Sequence, residues 1–568
     1  MRLRKDGLIL FGAVFLFCIF VFFQSVNATT YSCNSCGTCS AFLSNATSVA
    51  GDIIQLSTSL SGISSLGCIN FTGKDNVIFD CNGNTIDGTD VDSSRGINVS
   101  NNANNNTVRN CIVTDFYYGI TVLNSTNNTF SNINATSNPS MGFSIDFLNH
   151  SVFSNVNSSF SGYGFYMSQS NNNSFSNVTA QNDSSSGIFL DGGNNNTFTN
   201  ISLSNNGGLC GMTLDNSYNN VLRNITVTSN TCGILLTFSG NNTLINNNMS
   251  GNIGNNFGMH ENFSNTIELS NIVDYIHKIY YNSSLFNYVY NPTTAPNAGA
   301  IYCISCANIT LRDINTTHYN RHGIFFSNAT NLTIYNVSSG FNDYGILLES
   351  TSNSNVSNAT LNSNSEGISV VISSNNTFSN INSISNGYGI STFLSSNNTF
   401  SNINSSFNSG YGFQISSSTT NSRFSNIISN NNLVGITLSS SSNNTFSNIT
   451  SNSNSQNGFS LSSSSDNNTF SNITANNNLK GISISTFNNT FRNSYIKNNS
   501  QYGLYINDLD FVSPSNNTFY NNIFNNTVNY YNESFFSLNI SNYFNTTLSL
   551  GTSIVGGINL GGNYWAFP

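Results

Sequence analysis

The phrase Asn-Asn-Thr-Phe-Ser-Asn-Ile at Asn127–Ile133 returns with small changes until Phe519 and constrains this chain more than any other feature. Its aromatic column reads Phe130, Phe153, Phe175 and Phe198, passes through Leu222 and Leu244, and resumes at Phe378, Phe400, Phe424, Phe446, Phe470 and Phe491. Steps within each run are 21 to 24 residues. A glycine column keeps pace, from Gly96, Gly119, Gly142, Gly164, Gly187, Gly211 and Gly233 to a second run between Gly323 and Gly503. For 568 residues, length alone suggests three or four domains. A fixed internal period overrides that expectation and points to one repeat array.

Two extended phrases per period exclude ankyrin and tetratricopeptide arrays, whose units are longer and helical, and the fixed leucine spacing of a leucine-rich horseshoe is missing. One turn of a parallel β-helix fits. After each glycine, positions +1 and +3 are apolar (Ile188 and Leu190, Ile436 and Leu438), while +2 and +4 vary and are often polar. That alternation turns +1 and +3 inward. The phenylalanines also point inward and stack along the axis, full burial of each contributing roughly 1.5–3 kcal/mol. The Asn two residues on (Asn132, Asn200, Asn402, Asn448) breaks the alternation; it tolerates a left-handed corner, and stacked amides can bond from coil to coil. Glycine is expected at another corner. The crossover rule makes the solenoid right-handed. The predicted fold is all-β, a right-handed single-stranded parallel β-helix with coils of about 22 residues.

Arg2, Arg4 and Lys5 precede an apolar run over 7–23 and the triplet Val26-Asn27-Ala28. This is the layout of a signal peptide over 1–28, with an uncleaved anchor as the alternative; either exports the remainder to the cell surface or beyond, and no second hydrophobic span follows. Residues 29–75 form a Cys-rich cap, 76–253 a first β-helical segment, 254–299 an irregular interruption holding two of the five prolines, and 300–568 a second segment. Ten of the 11 cysteines follow the leader. Cys210 and Cys232 each precede a column glycine in adjacent coils, and Cys81 and Cys111 occupy matching phrases, so both pairs sit at disulfide distance if coils stack about 4.8 Å apart. Cys33, Cys36, Cys39 and Cys68 suit disulfides in an exported cap, with zinc as the alternative.

A formal charge of −9 with only 7% charged residues leaves no basic patch for nucleic acid. Solubility rests on amides and hydroxyls. Against that neutral background the outward +4 column carries Asp146, Asp191 and Asp215, and the outward +2 column carries Tyr166 and Phe189. Carboxylates beside exposed rings suit carbohydrate: rings stack on pyranose faces, and paired carboxyls about 5–10 Å apart serve glycosidic chemistry. The same Asp191 and Asp215 suit a Ca²⁺ site completed by Asn and Ser oxygens. Surface charge alone is the plainer reading. Tyr118, Tyr163, Tyr344, Tyr388, Tyr411 and Tyr502 precede their glycines, as corner packing or as an aromatic ladder for glycans. His318 and His322, four apart in a β context, are expected as ordinary surface or corner histidines, and the five histidines are dispersed along the chain. The phrase itself is a sequon in most coils; glycans on every coil would collide, so use is expected only at some loops.

Asn-Thr-Ile-x-x-Ser-Asn-x-Val at Asn265–Val273, followed by Ile279-Tyr280-Tyr281, resembles the signature of the NosD-like periplasmic copper-binding β-helix family, associated with nitrous oxide reductase maturation. Gly561–Trp565 resembles the phrase closing that repeat domain, and Asp75–Gly88 is similar to the opening coils of archaeal surface β-helix proteins. The resemblance covers most of the chain after its leader and implies the pectin-lyase-like β-helical fold. The uniform polar faces, the Asp146/Asp191/Asp215 patch and this resemblance lead to three functional expectations in turn: a glycan-binding or structural rod of the cell envelope, a polysaccharide lyase or glycoside hydrolase, and an accessory protein for copper delivery.

Overall fold

The computed structural model describes residues 28–45, 51–507, 514–533 and 541–566; the leader, residues 1–27, lies outside the described residues. The chain winds as a parallel β-solenoid of about 21 turns. A typical coil contributes a glycine-face strand, such as Tyr118–Thr126, and a phenylalanine-face strand, such as Thr129–Thr136. Adjacent coils pair in parallel and in register, Phe130 with Phe153 and Phe153 with Phe175. Identical rings one strand spacing apart therefore lie face to face, with centroids 4.6 Å apart in both pairs, and all three are fully buried.

The corner asparagines form a continuous amide ladder on the surface. Asn132, Asn155 and Asn177 have φ of 53–54°, and their Nδ2 groups donate to the Oδ1 of Asn110, Asn132 and Asn155 at 3.0, 3.2 and 3.1 Å. The glycines do something other than turn a corner. None of the column glycines from Gly96 to Gly503 has a positive φ. They are required by close approach: a Cβ on Gly164 would lie 2.5 Å from the Gly187 carbonyl oxygen and 2.6 Å from Asp183 Oδ2. The left-handed corner comes five residues later, at Asn124, Phe147 and Gln169.

Two further ladders run inside the coils, where asparagine would not be sought from its polarity. The second Asn of the phrase is buried, and its backbone N–H donates to the side-chain oxygen of the next coil's equivalent: Asn173 to Asn196 at 2.9 Å, Asn196 to Asn220 at 2.8 Å, Asn220 to Asn242 at 2.9 Å. At a tight bend the backbone loses its sheet partner, and these amides replace it, so the buried groups stay satisfied. A second internal column runs through Asn138, Ser161, Asp183, Asn206 and Asn230.

The N-terminal end is closed by the helix Cys36–Asn45, whose Leu43 and Cys39 enter the core and whose Ser40 hydroxyl donates to the Cys68 carbonyl at 2.8 Å. Cys33–Cys39 and Cys36–Cys68 are disulfides, which uses all four sulfurs of the cap and removes the zinc alternative. Cys81–Cys111 and Cys210–Cys232 tie equivalent positions of neighbouring coils at Cα separations of 4.9 and 4.4 Å. Cys303–Cys306 closes a fifth bridge. Among the described residues no helix is long and apolar enough to cross a membrane.

The segment 254–299 does not simply interrupt a rod. Ile272–Val273 pairs antiparallel with His277–Ser283, and from there the same sheet continues with parallel strands. The phenylalanine face of the first rod thus becomes the glycine face of the second, within one 27-stranded sheet. Reversing strand direction while keeping right-handed crossovers forces the core to the opposite side of that sheet. Two cores result. Ile279, Ala300, Tyr302 and Phe325 belong to the first; their neighbours Tyr280, Ile301, Ile324 and Phe326 belong to the second. Strands Ala298–Ile304 and His322–Ser327 are consequently buried on both sides.

Candidate functional site

The glycine face of the first rod carries the aspartates and aromatics singled out from sequence. Asp191 and Asp215 are register partners in consecutive coils, whereas Ser168 stands between Asp146 and Asp191. Tyr166 and Phe189 are also partners, their rings parallel within 4° and 5.6 Å apart, and Tyr163 meets both edge-on at 5.5 and 6.0 Å. The result is a half-buried aromatic strip bordered by carboxylates. Burial raises the Asp146 carboxyl above its usual range; burial and then the Asp191 charge raise Asp215. Burial first, then the Asp191 and Asp146 carboxylates, push the Tyr166 phenol up. Among the described residues none of these carboxylates forms an ion pair. A polyhydroxylated ligand suits such a surface, its C–H faces on the rings and its hydroxyls donating to the carboxylates.

A second aromatic platform, missed from sequence, lies at the far end. Tyr502 stacks on Tyr531 at 4.7 Å and on Tyr505 at 5.3 Å, and Lys480 Nζ sits 3.5 Å from the Tyr505 ring centroid. Tyr502 belonged to the tyrosine column. Tyr531 follows an enlarged coil, so fixed spacing does not reach it.

Four of the five histidines, expected on the surface and dispersed, lie at the joint between the rods, His277 with His318 and His260 with His322. His277 and His318 stack with centroids 3.5 Å apart, and His318 Nδ1 lies 3.7 Å from Asp274 Oδ2. Burial and the neighbouring His277 hold His318 down to about 4. His322 is only 3% exposed, packed between Phe325 and Tyr344. Its burial follows from the double-sided strand in which it sits; the run Gly-Ile-Phe-Phe after it, apolar at successive positions, is the sequence signal of such a strand. Backbone bonds lock the joint: Arg321 N–H donates to the Phe257 carbonyl at 2.9 Å and Asn256 N–H to the Tyr319 carbonyl at 2.5 Å.

This geometry defines a protein class, a two-segment right-handed β-solenoid with a decorated outer face. The family described as "Right handed beta helix region" matches residues 129–272 and 299–448, over half the chain, and the protein belongs to it. "Periplasmic copper-binding protein (NosD)" matches residues 395–568. No curated protein matches the chain. Similar solved structures include pectate lyase Pel9A, at 14% identity over 53% of this chain and 70% of that one with a TM-score of 0.28. The periplasmic alginate epimerase AlgG aligns at 10% identity over 72% and 78%, TM-score 0.22. The Agl-KA catalytic domain aligns at 15% over 77% and 69%, TM-score 0.28.

Copper is the group implied by the NosD match, and the residues present do not fit it. The matched stretch 395–568 contains no His, Cys or Met. Among the described residues all ten cysteines are in disulfides, and no three His, Cys, Asp or Glu side chains converge on one point. Soft or imidazole donors are what copper needs.

Proposed function

We propose that this protein is an exported, envelope-associated rod that binds glycan along the glycine face of its first segment. The stacked Tyr166 and Phe189, with Tyr163 edge-on to both, between Asp146 and the Asp191/Asp215 pair carry the reading. Export is supported by the leader pattern and by five disulfides, which persist in oxidising compartments. Binding is favoured over turnover because burial is what raises Asp146 and Asp215, and the charge acting on Asp215 is another carboxylate and not a basic group.

The test is retention of the purified protein on a panel of polysaccharides. At least one should retain it, and Tyr166→Ala with Phe189→Ala should weaken that binding about tenfold or more, the equivalent of about 1.4 kcal/mol. Unaltered retention by this variant would overturn the reading. Asp191→Asn and Asp215→Asn, assayed with Ca²⁺ and with chelator, decide whether the pair works through a bound cation. Shortening of the retained polysaccharide, abolished by either substitution, would move the protein to the lyases or hydrolases.

A further inference from the structure

A pocket lies where nothing in the repeat predicts one, in the inside corner between the end of the first rod and the glycine face of the second. The corner encloses a pocket of about 190 Å³. Glu261 stands exposed at its mouth and His322 is buried at its floor; Phe263 and Leu347 wall it, and Arg321 and Glu349 face it. Pockets for drug-sized ligands run to about 300–1,000 Å³, so the occupant is smaller, on the scale of one sugar ring.

The polar groups here are incompletely partnered. His322 Nδ1 and Arg321 Nε are both buried without a hydrogen-bond partner, whereas roughly 90% or more of buried polar groups in folded proteins have one. Glu349 uses one oxygen to accept from Ser327 at 3.1 Å. Two carboxylates face one guanidinium, and that guanidinium already lies 3.9 Å from Asp343. An anionic ligand would therefore meet net repulsion. A bare cation finds no convergent set of three ligating side chains among the described residues. A neutral polyol fits both kinds of partner, since each hydroxyl can donate to a carboxylate and accept from an N–H. The apolar walls complete the match to a pyranose, which has C–H faces and a hydroxyl rim.

We propose that this corner pocket binds a single neutral pyranose unit, as a site distinct from the aromatic strip and more than two coils away along the same face. Titration by saturation-transfer NMR, with the full chain and with methyl glucoside, galactoside, mannoside and xyloside, tests it; glucuronate and galacturonate are the charged controls. At least one neutral pyranoside should bind, with affinity falling tenfold or more in Glu349→Gln and in Val371→Trp, which puts a bulky ring at a half-buried residue of the pocket lining. Thermal melting of both variants should match the parent. Tyr166→Ala with Phe189→Ala should leave this binding intact. The proposal is overturned if no neutral pyranoside binds, in which case the pocket holds water only, if only the uronates bind, or if both corner variants bind as the parent does. Loss confined to the strip variant would overturn the corner site while upholding the strip.

Discussion

The two rods are built from one interior and wear different exteriors. Inside, Phe153 stacks between Phe130 and Phe175 at 4.6 Å each, and Phe424 between Phe400 and Phe446 at 5.0 and 4.6 Å. Outside, the first rod's glycine face carries Asp146, Asp191, Asp215, Tyr166 and Phe189; the corresponding middle of the second reads Ser369, Ser391, Gln414, Thr437, Ser460 and Ser483 at +2. The inward columns specify the coil, and the outward columns are free to vary without cost to it. Aromatic and charged groups accordingly collect on the first rod, at the joint and at the far end of the second, where Tyr502, Tyr505 and Tyr531 meet Lys480.

That equivalence is most directly broken by emptying matched positions. Phe153→Ala and Phe424→Ala should each destabilise their own rod by about 3–5 kcal/mol, the usual cost of truncating a buried Phe. In a solenoid each coil contacts only its neighbours, and the two cores are separate. Hydrogen exchange should therefore accelerate in the mutated rod and stay protected in the other. Loss of protection throughout the chain in either variant would mean that the joint couples the rods into one cooperative unit.

A slightly smaller effect distinguishes the rods by pH. Asp183 occupies an internal asparagine ladder, 1% exposed; Oδ1 accepts from Ser161 N–H at 2.9 Å, while Oδ2 has no partner. Burial raises its carboxyl to about 7 against 3.8 when exposed. Between those values the folded state holds the extra proton, so stability falls as pH rises and the full cost stands above pH 7. The difference corresponds to roughly 4 kcal/mol. Asp183→Asn should restore the ladder's amide and raise the stability of the first rod at pH 7.5 by that order, with little gain at pH 4. Melting curves at the two pH values check it, and an equal gain at both would refute the titration.

The repeat made the inward columns and the corner asparagines legible, because period and alternation are local properties of the chain. The glycines were readable as required but not for the right reason: their cause is the carbonyl of the next coil and a ladder side chain, neither of which is near in sequence. The buried second Asn was hidden by its polarity, since its partner is an orphaned N–H one coil away. Of the candidate site, the register of Asp191 with Asp215 and of Tyr166 with Phe189 follows from spacing alone. The joint does not. His277 meets His318, and His260 meets His322, only because the sheet reverses at Ile272–Val273 and the core changes sides, a topological event without a periodic signature.

The smallest effect concerns the surface corners, and it sharpens what the shared scaffold rests on. Asn177 and Asn448 hold φ of 54° and 56° in the two rods, and each bonds its predecessor, Asn177 Nδ2 to Asn155 Oδ1 at 3.1 Å and Asn448 Nδ2 to Asn426 Oδ1 at 3.0 Å. Both side chains are exposed, so the amide contacts compete with water and add little. The left-handed backbone matters more, costing about 1–2 kcal/mol for a residue with a Cβ and no local compensation. Asn177→Ala and Asn448→Ala should each cost about 1 kcal/mol, whereas the glycine variants should stay within about 0.5 kcal/mol of the parent, since glycine enters that region freely. Chemical denaturation of the four variants measures the difference. Glycine variants as unstable as the alanine ones would show that the amide ladder, and not the dihedral, selects asparagine at every corner of both rods.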